Sequence, residues 1–82
     1  MGGDNEGIFV VGFPDAETNK LYANVVEATK QLSLGEEVVR AEMKDAAKYG
    51  ISLFPALVVD GKLVCEGELR SVDDLTKMLV QA

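Results

Sequence analysis

Leu53-Phe54-Pro55-Ala56-Leu57-Val58-Val59-Asp60-Gly61-Lys62-Leu63-Val64-Cys65 is the stretch on which the fold turns. Asp60-Gly61 is a two-residue signal for a type I′ turn, because both of its central positions need a positive φ and Gly and Asp tolerate that best. The apolar residues on either side, Ala56–Val59 and Lys62–Cys65, then pair as the two arms of an antiparallel hairpin. Pro55 sits at the first arm's entrance, where a missing backbone N–H costs the ladder nothing.

Working outward toward the N-terminus, Ile8-Phe9-Val10-Val11 is a continuous apolar run ending at Gly12, which suits a strand buried on both faces. Phe13-Pro14-Asp15 breaks it. From Ala16 to Leu34 the spacing is helical, with Leu21, Val25, Ala28 and Leu32 on one face. Asp15 is placed to cap that helix and Gly35 to stop it. Glu37–Ala41 reads as a second strand, and Lys44–Tyr49 as a short helix stopped by Gly50. Toward the C-terminus, Ser71 with Asp73 and Asp74 opens a last helix whose apolar face is Val72, Leu75, Met78 and Leu79. The order is βαβαββα. A strand–helix–strand unit calls for a right-handed parallel crossover, whereas the hairpin must be antiparallel. The expected architecture is therefore α/β, a four-stranded mixed sheet covered by helices. Residues 1–7 form a lead-in, and residues 8–82 one domain.

The chain has 82 residues, 48% of them hydrophobic, enough for one core, and a net charge of −6. An acidic chain with scattered basic residues is a poor match for a phosphate backbone or an anionic membrane, so neither nucleic acid nor membrane is expected as partner. The single cysteine, Cys65, cannot form an intramolecular disulfide, and with no histidine a Cys/His zinc site is excluded. So small a domain without disulfides fits a reducing compartment, and a cytoplasmic location is expected. Glu36-Glu37 and Asp73-Asp74 are adjacent in sequence, so neither pair converges on one reacting centre. The glycines match no phosphate-binding or dinucleotide pattern. No metal or cofactor is expected.

The βαβαββα order, with Phe54-Pro55 leading directly into Ala56-Leu57-Val58-Val59-Asp60-Gly61-Lys62, resembles the thioredoxin/glutaredoxin fold. It is similar in particular to the minimal thioredoxin-like proteins called redox-active disulfide proteins, over Ile8 to Val80. The resemblance implies a cis Phe54–Pro55 bond and a site where Pro55 faces the Gly12-Phe13-Pro14-Asp15 loop. In relatives that loop carries a Cys-x-x-Cys motif at a helix N-terminus, where the dipole lowers a thiol's pKa and the proline edge holds an extended substrate. Carried onto this chain, the two cysteine positions fall on Asp15 and Thr18, or with a one-residue shift on Pro14 and Glu17. Neither choice contains sulfur, so dithiol–disulfide exchange is not expected.

A non-catalytic domain that binds a protein or peptide partner at the loop and proline edge follows from these readings. Phe13, Pro14, Asp15, Tyr22, Phe54 and Pro55 are its candidate binding residues. Asp15 and Glu17 suit an acidic recognition patch at this site, while capping and the positive helix end account for both without one. Phe13, Tyr22 and Phe54 suit a shallow groove beside Pro55, and Tyr22 and Phe54 suit a small core equally well. Two other functions stand beside this one. The first is thiol redox chemistry through Cys65, set against the prevalence of buried, inert cysteines. The second is a structural or oligomerising role through an edge strand carrying Val38 and Val39. A monomer or a weak homodimer is expected.

Overall fold

The computed structural model describes residues 7–41 and 43–81. In chain order the elements are β1 (Ile8–Val11), α1 (Ala16–Gln31), β2 (Val38–Ala41), a 3₁₀ turn (Met43–Asp45) running into α2 (Ala46–Tyr49), β3 (Ala56–Val59), β4 (Lys62–Glu66) and α3 (Val72–Gln81). The four strands form one mixed sheet in the order β2-β1-β3-β4. β1 pairs in parallel with β2, Ile8 opposite Val38, and antiparallel with β3, Val11 opposite Ala56. The end of β1 therefore meets the start of β3, which brings the loop after β1 to the proline before β3.

Strand alternation sends the apolar runs to two faces. Ile8, Val10, Leu57 and Val59 pack with Leu21, Val25 and Ala28 of α1 and with Leu75 and Leu79 of α3. Val11, Ala56 and Val58 pack on the other side with Ile51, against Phe9, Ala46, Tyr49 and Phe54. Asp60 and Gly61 both have positive φ, 51° and 83°, and Val59 pairs with Lys62 across the turn, the geometry expected of a type I′ hairpin. Its neighbour Gly7 is tied to the same turn: Gly7 N–H donates to Asp60 Oδ1 at 2.9 Å, and Asp60 N–H donates to the Gly7 carbonyl at 2.8 Å. Of the lead-in expected over residues 1–7, all but Gly7 lies outside the described residues.

The helix expected over 44–49 is a 3₁₀ turn followed by one turn of α-helix, β2 starts at Val38 rather than Glu37, and β4 runs on to Glu66. Two further features differ from the sequence expectation. Helix α1 stops at Gln31 rather than continuing to Leu34, because Ser33 takes the left-handed conformation (φ 54°) before Gly35 is reached. Ser33 N–H then donates to the Lys30 carbonyl and Leu34 N–H to the Thr29 carbonyl, both at 3.1 Å, so the orphaned carbonyls of the last turn are satisfied by a 6→1, 5→2 pair. The second feature is a bulge in β4. Leu57 faces Cys65 but Val58 faces Leu63, which leaves Val64 unpaired. The extra residue puts Val64 and Cys65 together on the α1/α3 side, while Leu63 stays on the other.

Candidate loop and cis-proline edge

The turn after β1 is built from short-range contacts. Asp15 N–H donates to the Phe13 carbonyl at 2.8 Å, which closes the Phe13-Pro14-Asp15 corner. Asp15 is extended (φ −125°, ψ 175°) and its Oδ1 accepts the Thr18 N–H at 2.9 Å, capping α1. Hydrogen bonding from Thr18 holds the Asp15 carboxyl below its ordinary carboxylate value, so the loop carries a fixed negative charge at neutral pH. That charge sits on the positive end of the helix and makes it unreceptive to anions.

Thr18 is 1% exposed, and the reason lies one residue beyond β1. A Cβ placed on Gly12 would come 2.5 Å from Thr18 Oγ1 and 2.9 Å from its Cγ2. Glycine at position 12 thus lets the helix start pack directly on the chain leaving β1. Of the two positions implied for sulfur, Asp15 is exposed and Thr18 buried. Neither side chain can form the thiolate or the mixed disulfide that exchange chemistry requires.

Across from this loop, the Phe54–Pro55 peptide bond is cis. Pro55 is buried and its carbonyl accepts Gly67 N–H at 2.9 Å. Phe13 and Phe54 meet edge to face, with ring centroids 5.6 Å apart and planes at 68°, a geometry that satisfies the ring quadrupoles. Phe13 remains 53% exposed, and Leu53, next to Phe54, 58% exposed. The result is a small apolar ledge rather than a cavity. A shallow depression of about 260 Å³, lined by Leu32, Thr76, Lys77 and Val80, lies at the far end of α1 from the Asp15 cap.

Of the six candidate binding residues, the structure brings Phe13, Pro14, Asp15, Phe54 and Pro55 to one corner. It places Tyr22 elsewhere. The Tyr22 ring packs on the α1/α3 side of the sheet, with the Arg40 guanidinium 5.7 Å from its centroid, whereas Phe54 packs on the opposite side. Arg40 reaches α1 from β2, its Nη1 donating to Asn19 Oδ1 at 2.9 Å. One turn of helix separates Tyr22 from Thr18, but that step carries the ring over the edge strand instead of toward the proline. Leu53 stands in the same motif but is not among the residues that the sequence singles out. Glu66, whose Oε1 accepts the Ser52 and Leu53 N–H groups, carries no sequence signal, since it follows Cys65 like any polar strand residue.

Cys65 is 8% exposed and lies in the α1/α3 core. Burial pushes its thiol pKa up, an effect that the nearby Arg70 charge opposes. Among the described residues no group of three or more His, Cys, Asp or Glu is placed to hold a metal ion, and no helix is long and apolar enough to cross a membrane.

A four-stranded sheet in this order, two helices on one face and a cis X–Pro bond opposite a helix N-terminus define a thioredoxin-fold protein. The family model described as a thioredoxin domain matches residues 8–80, and the chain belongs to that family. No curated protein and no solved structure matches it at significant similarity.

Proposed function

We propose that this thioredoxin-family domain binds an extended segment of a partner polypeptide at the Phe13–Phe54 ledge and carries out no dithiol–disulfide exchange. The observation that carries the reading is the pairing of an exposed apolar ledge, Phe13 and Leu53 beside Phe54 and Pro55, with a helix start that holds Asp15 and Thr18 in place of sulfur. A ledge of aromatic edges next to a strand entrance suits an extended chain, which offers alternate side chains to apolar contacts. A small ligand instead favours an enclosed pocket. The acidic surface, net charge −6, and the Asp15 charge favour a polypeptide over nucleic acid or an anionic membrane. A reducing, cytoplasmic setting accords with the single unpaired cysteine. The domain acts as a monomer or a weak homodimer.

Two measurements test this. Blocked, extended peptides carrying a central leucine or phenylalanine bind the wild-type protein, and Phe13→Ala and Pro55→Ala each weaken that binding. Unchanged binding in both variants would remove the ledge from consideration. Reduction of insulin disulfides by dithiothreitol is not accelerated by the protein, and acceleration would overturn the non-catalytic half of the reading.

A further inference from the structure

The chain between α2 and β3 has no regular structure of its own where it carries Leu53, Phe54 and Pro55, so its shape is set by what holds it. The backbone N–H groups of Ser52 and Leu53 both donate to one oxygen, Glu66 Oε1, at 2.8 and 3.2 Å. The next residue, Gly67, donates its N–H to the Pro55 carbonyl at 2.9 Å. Gly67 has φ 76°, and a Cβ there would lie 2.9 Å from both Cβ and Cδ1 of Leu53. The Leu53 side chain therefore packs into the space that a glycine leaves. The last residue of β4 and the one after it thus hold three residues of this segment, Ser52, Leu53 and Pro55.

Strand pairing explains why Glu66 can do this. It lies opposite Ala56 in the ladder, on the face where Ile51 and Ala56 are buried, and the 51–55 segment crosses that face. Side chains directly opposite share a side of the sheet, so the carboxylate rises under the loop. Bonds from backbone N–H to an ionised carboxylate are shorter and roughly twice as strong as neutral ones, which suits one acceptor holding two donors.

We propose that Glu66 is a positioning residue for the ledge. Its carboxylate, together with Gly67, holds the Ser52–Pro55 segment in the conformation in which Phe54 meets Phe13, and the ledge loses its shape when that acceptor is removed. The proposal rests on the reading of the ledge as the binding site, but its first readout needs no ligand.

Amide hydrogen exchange and ring cross-peaks, followed by NMR in Glu66→Ala and Glu66→Gln, test it. Glu66→Ala raises exchange at Ser52 and Leu53 by about tenfold or more, the scale of losing bonds to a charged acceptor. Exchange at Val10 and Leu57 stays as in wild type, and the Phe13–Phe54 cross-peaks fade. Glu66→Gln retains an uncharged acceptor and falls between the two. The leucine-centred peptide probe binds Glu66→Ala several-fold more weakly at a temperature where the variant is fully folded, with partial rescue in Glu66→Gln. Unchanged exchange at Ser52 and Leu53, an equal rise in the core, or undiminished ring cross-peaks overturns the positioning role. If these local signals change as described but the probe fails to bind wild type, the positioning role stands and the binding reading of the ledge falls.

Discussion

The two faces of the sheet are covered unequally. On one, α1 and α3 lie over Ile8, Val10, Leu57 and Val59, and Leu21, Val25, Ala28 and Leu75 are fully buried between them. On the other, the cover is a short 3₁₀ turn and α2, Met43–Tyr49, with the irregular 51–55 segment. There Phe9 stacks on Tyr49 at 6.2 Å and Val39 is 41% exposed. A two-helix cover of sixteen and ten residues buries whole side chains and supplies most of the hydrophobic driving force. A single short cover leaves apolar edges in water and relies on hydrogen bonds to hold its loops. The difference teaches that apolar burial is concentrated on the first face, while the proposed binding ledge borders the second.

The largest expected effect probes the first face. Leu57→Ala and Leu21→Ala each remove a fully buried side chain and should cost about 2–5 kcal/mol, the range for such truncations, read by chemical denaturation. A small loss at both positions would erase the contrast between the faces. Next is the junction of the two regions. Gly12→Ala forces a methyl into the space occupied by the Thr18 side chain and should destabilise by roughly 1–3 kcal/mol, as overpacking does, with the loss concentrated at the start of α1 in hydrogen exchange.

On the second face even a larger truncation should cost much less. Phe13→Ala removes a half-exposed ring and one edge-to-face contact, worth about 0.5–1.5 kcal/mol, and should weaken the proposed peptide capture. A stability loss as large as that of Leu57→Ala would mean that Phe13 belongs to the core rather than to a binding ledge. The thiol sharpens the comparison from the other side. Because burial raises the Cys65 pKa, alkylation at mildly alkaline pH should be far slower in the folded protein than in denaturant, and equal rates would revive a thiol function.

The smallest effect is electrostatic. The folded-state pKa of Asp15 is lowered, so its charged cap contributes stability above the ordinary carboxylate pKa. That contribution is lost as pH falls through the lowered value. Asp15→Asn keeps a capping oxygen and removes the charge. The gap in melting temperature between wild type and Asp15→Asn should therefore be present at neutral pH and close in acid.

The order of elements along the chain, the hairpin turn and the helix start were legible because each is a short-range property. Asp60-Gly61 tolerates the two positive φ values of its turn, Asp15 reaches a backbone N–H three residues on, and Leu21, Val25 and Ala28 share a face through helical spacing alone. The absence of paired cysteines at the loop was equally a matter of counting. The bulge at Val64 was not legible. Plain alternation puts Leu63 and Cys65 on one face, and only the competing demands of the β3 ladder and the α1/α3 core decide which residue is left unpaired. Tyr22, which suits both a groove and a core by sequence, goes to the α1/α3 side for a related reason: helical spacing says which residues share a face, but not which strand that face will meet. The grip of Glu66 and Gly67 on Ser52, Leu53 and Pro55 likewise joins residues more than ten positions apart. Sequence by itself therefore determined the elements, their order and the missing chemistry, because those depend on neighbours along the chain. Only the tertiary structure decided which side of the sheet each residue serves and what holds the ledge, because those depend on neighbours in space.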